Sequence, residues 1–362
     1  MTEYSQELKR LLTTYIQRSF QILAARPQSG IHYEGERKSI MQEVAAQPGV
    51  APEPKPKSYK SSSELKKRLW RNKLLYVMLL PGVLYFVIFK YLPMYGLIIS
   101  FQDYKPYQGI TGSDWVGLKH FQRLFTEPDF LNILGNTLIL FGMNILFYFP
   151  IPIILALMLN ELRGTFFKRT FQTLIYLPHF MSWVIVVSIS FVMVTMDGGI
   201  INELLAYFGF EKINFLLNPS WFRPMYILQV IWREAGWGTI IYLASIAAID
   251  PGLYEAARMD GAGRLRQIWH ITLPAIRGVI ITLLILKIGS VLDLGFEHVY
   301  LMLNSMNREV AEIIDTYVYT AGLRQGQFSY STAIGFFKSV IGLIMVMSVN
   351  KLSKKMGEEG VY

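Results

Sequence analysis

Six apolar stretches, at roughly 74–98, 133–159, 171–195, 225–248, 271–293 and 331–350, alternate with polar segments along a chain of 362 residues. About 20 helical residues cross the 30 Å or so of hydrocarbon in a bilayer, and each stretch approaches or exceeds that length. The pattern predicts an all-α, polytopic membrane protein with six transmembrane helices, occupying residues 70–362. Ahead of the first stretch the pattern changes twice. Leu8, Leu11, Leu12, Tyr15, Ile16, Phe20 and Leu23 recur at helical spacing, with Lys9, Arg10 and Arg18 elsewhere around the turn. Residues 1–25 are therefore expected to form an amphipathic surface helix. Residues 26–69 contain Pro-, Ser- and Lys-rich runs at 51–57 and 61–63 and read as a flexible linker, because such a composition buries too little apolar area to offset ordering.

Charge orients the spans. Residues 1–73 carry 14 Lys and Arg; Arg163, Lys168 and Arg169, then Arg258, Arg264 and Arg266, then Lys351, Lys354 and Lys355 fall on the same side, 23 in all. The opposite side has Lys105, Lys119, Arg123, Lys212, Arg223, Arg308 and Arg324, only 7. By the positive-inside rule both termini and the loop at 250–274 are cytoplasmic. On the outer side, 114–118 and 199–209 mix aromatics with acids, and 293–324 holds five acids against two bases. Such surfaces suit a soluble partner outside, or interfacial anchoring by their aromatic rings.

Composition adds exclusions. Hydrophobic residues make up 52% of the chain, aromatics 14%, and mean hydropathy is +0.32, beyond what one soluble core needs. The net charge of +9 does not point to nucleic acid, since residues 1–73, with 14 bases against 7 acids, contribute +7 of it and leave the body nearly neutral. There is no cysteine, hence no thiolate metal site or thiol nucleophile. The five histidines are scattered, no His-Glu-x-x-His occurs, and no catalytic or metal-binding set is expected. The N-terminus shows no apolar core ahead of a small-residue cleavage site, so the first span is expected to act as the insertion signal.

The loop at 250–274 is the most constructed polar segment. Asp250 is placed to cap a helix, Pro251 suits its first turn, residues 253–259 continue it, and Gly261 and Gly263 break it. A second short helix through Arg264 and Gln267 leads back into the membrane at Leu273-Pro274. A short helix at a bend, with Ala256 and Ala257 on one side, is shaped to enter a groove; the alternative is an ordinary loop that Asp-Pro and Gly merely punctuate.

The spacing Glu255-Ala256-Ala257, three residues, Gly261, nine residues, Ile271, one residue, Leu273-Pro274 resembles the signature of membrane subunits of binding-protein-dependent ABC importers. Segments 89–96, 176–180, 197–199 and 326–330 resemble the branch that imports complex oligosaccharides and polysaccharide fragments, as in alginate and pectin-oligosaccharide importers. The likeness runs from about residue 70 to the end. It implies that Glu255, Ala256, Ala257, Gly261, Ile271, Leu273 and Pro274 form a coupling loop seated on a cytoplasmic ATPase. It also implies a second, related but non-identical permease, two ATPase subunits, an extracytoplasmic solute-binding protein, a saccharide substrate and a bacterial cytoplasmic membrane. The chain has no phosphate loop: 30–36 lacks the Gly-Lys-Ser/Thr ending. ATP and magnesium are thus expected on a partner, with no cofactor in this chain.

Ionisable residues inside spans cost about 2.5–3.5 kcal/mol each on insertion scales and do not face lipid unpaired. Lys90 lies near a span end, where it snorkels. Arg233, Glu234, Lys287 and Lys338 are candidates either for interhelical pairing or for a polar substrate pathway. Lys287, Ser290 and Asp293 recur at i, i+3 and i+6, one helical stripe that favours the pathway, and Tyr242 and Trp237 are candidates either to stack on sugar rings or, the commoner role of aromatics, to pack between helices. Two other readings compete: a proton-coupled secondary transporter, with Glu234 and Lys287 as relay, and, with thinner support, a membrane-embedded enzyme.

Overall fold

The computed structural model describes residues 70–355. The amphipathic helix and linker expected at 1–69 lie outside the described residues. The chain divides into two units, Met1–Gly82 and Val83–Tyr362.

Helix dominates. Besides shorter turns, the helices are α1 (Lys73–Phe101), α2 (Lys119–Thr126), α3 (Pro128–Glu161), α4 (Thr165–Phe180), α5 (Trp183–Val194), α6 (Ile200–Tyr207), α7 (Pro219–Ala247), α8 (Pro251–Met259), α9 (Arg264–Gly289), α10 (Phe296–Met302), α11 (Ile314–Tyr319) and α12 (Phe328–Lys355). Between α1 and α2, β1 (Gln102–Asp103) pairs antiparallel with β2 (Asp114–Trp115), Gln102 facing Trp115. Four helices, α1, α3, α9 and α12, are long and apolar enough alone to cross a membrane, and α4 with α5 and α7 with α8 qualify as bent pairs.

The stretch expected as one span at 171–195 is two helices meeting at 102°. Pro178 supplies no N–H, and a 3₁₀ turn at Leu177–Phe180 closes α4. Ser182 then starts α5, its hydroxyl accepting from the Ile185 amide at 3.4 Å.

Prolines also shape three continuous helices. Wide π turns at Val87–Tyr91, Asn144–Tyr148 and Ile268–Thr272 each end two residues before a proline, Pro93, Pro150 and Pro274. A proline cannot donate to the carbonyl four residues back, and its ring pushes that carbonyl away; the wider turn accommodates both without ending the helix.

Three apolar clusters hold the described bundle. Phe222, Tyr226 and Val230 of α7 pack with Val187 of α5 and Val299 of α10. Phe130 and Ile133 of α3 pack with Ile314 of α11 and Tyr330 and Ile334 of α12. Ala156 of α3, Tyr242 and Ile246 of α7 and Ile276 of α9 form the third. Tyr242 is 3% exposed there. It fills a helix junction against α3 and α9, which is the packing role of the two expected for it and leaves it unavailable to stack on a sugar.

Candidate functional site

The loop at 250–274 folds as a handle, and each of its bends has a local cause. Asp250 accepts from the Gly252 amide at 2.9 Å, and Pro251 occupies the first turn of α8. At the other end Gly261 adopts φ +75°. Its amide bonds to the Arg258 carbonyl at 3.1 Å, and the Ala262 amide reaches back to Ala257 at 2.8 Å. That pair of bonds is a Schellman closure, and the left-handed residue it requires is the glycine. Gly263, by contrast, is extended at φ −67° and starts the turn at Arg264.

Two side-chain contacts close the handle on itself and a third ties it to the bundle. The Tyr254 hydroxyl lies 2.9 Å from Thr272 Oγ1, the Gln267 amide donates to the Ala262 carbonyl at 2.8 Å, and Arg264 lies 3.6 Å from Glu161 at the end of α3. Leu273 packs against the Ala156, Tyr242 and Ile276 cluster, Pro274 sets the π turn, and Ile271 is half-buried. What is left outward is Glu255 and Ala256, together with the exposed side chains of Met259, Leu265 and Trp269. Among the described residues the Glu255 side chain has no hydrogen bond or ion pair. The motif thus divides its labour: Ala257, Gly261, Leu273 and Pro274 shape the handle, while Glu255 and Ala256 are presented by it.

Near the middle of α7 a second polar group assembles. A Cβ on Gly236 would meet the Ile175 carbonyl of α4 at 2.0 Å, and one on Gly238 would meet Pro152 of α3 at 3.0 Å. The two glycines let both neighbours in, and at 100° per residue Arg233, Glu234 and Trp237 fall on the arc between them. Arg233 pairs with Glu234, and its Nε donates to the Met181 carbonyl at 2.9 Å, a group stranded where α4 ends. Glu234 also meets His179 Nδ1 at 3.1 Å, and the His179 ring stacks on Trp237 at 4.5 Å. The cluster pins the break between α4 and α5 to α7.

From the same arginine a ladder of rings climbs away. Arg233 lies over Trp183 at 4.5 Å, Trp183 stacks on His298 of α10 at 3.8 Å, and His298 on Tyr226 at 4.8 Å. Gln229 Oε1 accepts from His298 Nε2 at 2.6 Å. Burial first, and then the Arg233 charge, push the His298 pKa down to about 3, so the ring is neutral at physiological pH.

The remaining candidates separate. Lys338 pairs with Asp315 of α11 and lies 3.9 Å from Asp293. Lys287 sits over the Tyr148 ring at 5.5 Å, with no carboxylate within 4 Å among the described residues. The expected stripe of Lys287, Ser290 and Asp293 does not exist as a helix face. Helix α9 ends at Gly289, and Ser290 and Asp293 turn away through bonds from Ser290 Oγ to the Lys287 carbonyl and from the Asp293 amide to the Ser290 carbonyl, both 2.9 Å. Sequence reasoning missed His179, Asp315 and His298 as partners. Only His179 carried a signal, as a member of the segment at 176–180.

A bundle of this kind, with apolar helices, broken spans and an outward handle, is that of a transporter's membrane subunit. The chain matches the family of binding-protein-dependent transport system inner membrane components over residues 148–358 and belongs to it. It is 70% identical over 295 residues, covering 82% of this chain and 92% of the relative, to the polygalacturonan/rhamnogalacturonan transport system permease protein YteP of Bacillus subtilis. Protein LplB of the same organism is 58% identical, covering 81% and 92%. One chain in the crystal structure of a bacterial alginate ABC transporter, in complex with an alginate pentasaccharide-bound periplasmic protein, superposes with a TM-score of 0.76 at 41% identity, covering 82% of this chain and 99% of that one. The chain is a multi-pass permease subunit of an ATP-driven importer.

Proposed function

We propose that this permease forms part of the translocation path for polysaccharide fragments bearing uronic acids, and that the handle transmits closure of a separate ATPase to it. The single observation that carries the coupling role is the outward presentation of Glu255 and Ala256 by a helix fixed at both ends. A rigid handle conveys a rigid-body movement, which a slack loop does not. The substrate class rests on the relative named for polygalacturonan and on the alginate transporter. ATP and magnesium belong, on this reading, to the two ATPase subunits. A second, non-identical permease completes the path, a solute-binding protein delivers the saccharide from outside, and both chain termini lie in the cytoplasm.

The test is uptake in proteoliposomes that contain the permease pair and ATPase, supplied with binding protein. Saccharide should enter only with ATP inside. Uptake driven by a pH gradient without ATP would favour a proton-coupled carrier instead. Cysteines introduced at Ala256 should cross-link to the ATPase, and a handle that labels freely in the assembled importer would argue against the coupling role.

A further inference from the structure

We infer that Lys287 is a specificity-determining residue of the pathway, whose ammonium takes the carboxylate of a uronate unit in transit. The inference rests on the proposed importer of uronic-acid saccharides and adds the group that reads the acid.

The other charged side chains around it are matched. Arg233 has Glu234 and the Met181 carbonyl; Lys338 has Asp315, with Asp293 beyond it. Among the described residues Lys287 has only the face of Tyr148, 5.5 Å away. The acids whose fields reach it are Glu234 and Asp293, and neither comes within 4 Å. Its side chain is half-buried, so it is not sealed in the core. Depth follows from Glu234, which lies midway along α7 and close enough to act on it electrostatically. An ammonium held at that depth without a carboxylate is a standing cost to the fold, and such residues in membrane helices mark ligand pathways.

The surroundings suit a sugar acid. Tyr148 lies beside the close approach of α3 and α7, its hydroxyl 3.5 Å from where a Cβ on Gly238 would stand. Trp237, the residue before Gly238 on α7, is 47% exposed and carries His179 stacked against it. An aromatic plate for the apolar face of a pyranose and a cation for its carboxylate are the two chemistries a uronate needs. Arg233 does not serve as that cation, since its guanidinium already holds a carboxylate and a backbone carbonyl. Because a lysine offers a point charge with three rotatable donors, it can pass a carboxylate onward without fixing it in one bidentate geometry.

The experiment uses the complete importer in proteoliposomes, with trigalacturonate as the probe, and compares Lys287→Met and Lys287→Arg with the parent. Lys287→Met should reduce ATP-dependent import by about tenfold or more, the worth of one charge-assisted hydrogen bond. Its thermal midpoint should be unchanged or raised, because an uncompensated charge has been removed. Lys287→Arg should keep most of the import. Import by Lys287→Met at the parent rate overturns the inference, and so does a loss of import accompanied by a lower midpoint, which marks a structural lysine. If the parent imports a neutral saccharide but not trigalacturonate, the inference falls and the importer reading stands; if it imports no saccharide with ATP, both fall.

Discussion

The handle and the polar face of α7 differ in where their instructions lie. Every bend of the handle is decided by a residue within the loop: Asp250 caps, Gly261 supplies φ +75°, and Pro274 sets the π turn. The α7 face is assembled across the chain. Arg233 and Glu234 acquire meaning only from Met181 and His179, more than fifty positions away, and from glycines that bring α4 and α3 close. A locally closed handle can move as one body, whereas a face built from three elements holds those elements in register. The first design suits transmission and the second suits a fixed break in a span.

The sharpest way to break the comparison is to damage the handle alone. Glu255→Lys reverses the presented charge. Gly261→Pro removes the amide that bonds Arg258 and forbids the left-handed φ. Both should insert and assemble, yet lose transport by tenfold or more, on the order of the loss when one hydrogen-bonded charge is taken from an interface. Normal uptake with normal substrate-stimulated ATPase activity in either variant would remove the handle from the coupling route.

At the α7 face the expected damage is to stability. Arg233→Met leaves Glu234 without its guanidinium and the Met181 carbonyl without its donor. The loss should be about 3 kcal/mol, the low end for a broken buried pair because neither partner is fully enclosed. The double variant Arg233→Met/Glu234→Met should recover part of it. Denaturation in detergent decides: a double variant less stable than the sum of the singles would show that the pair is not the unit.

How much of this was legible follows the same division. Positions 250–274 could be built in advance because cap, turn and breaker residues act over a few positions. The spans were legible as apolar runs but their interruptions were not: 171–195 reads as continuous, since Pro178 and Ser182 are common in membrane helices and only together do they turn the chain through 102°. Tyr242 and Lys287 look alike as polar candidates in sequence. Burial separates them, one enclosed in a helix junction and the other half-buried with its ammonium over the Tyr148 ring. The pairing of Lys338 with Asp315 had no local trace, because their helices meet only through tertiary packing.

The ring ladder sharpens the comparison by pH. His298 is held neutral, with its pKa near 3 against an ordinary 6.5. Between those values the unfolded chain binds a proton that the native state refuses, so stability falls as pH drops through 6.5 toward 3. At pH 5 the loss is about 2 kcal/mol. The thermal midpoint should decline by a few degrees from pH 7 to pH 5, and His298→Gln should flatten that decline. Equal slopes for the two proteins would place the acid sensitivity elsewhere, and the handle, which contributes no buried histidine, should show none in local proteolysis.

The smallest expected effect separates two glycines within the handle. Gly261→Ala forces a Cβ into φ +75°, and although no atom lies within 4 Å of where it would stand, the backbone strain alone should cost about 1 kcal/mol. Gly263→Ala also meets nothing within 4 Å, but its φ of −67° is ordinary for alanine, and the lost freedom of the unfolded chain makes the change neutral or slightly stabilising. Hydrogen exchange of the Ala262 amide, which closes the Schellman turn, reads the difference directly: it should quicken about fivefold in Gly261→Ala and stay unchanged in Gly263→Ala. Equal exchange in both variants would mean that the turn is held by the side-chain contacts of Tyr254, Gln267 and Arg264 and not by the backbone conformation of Gly261.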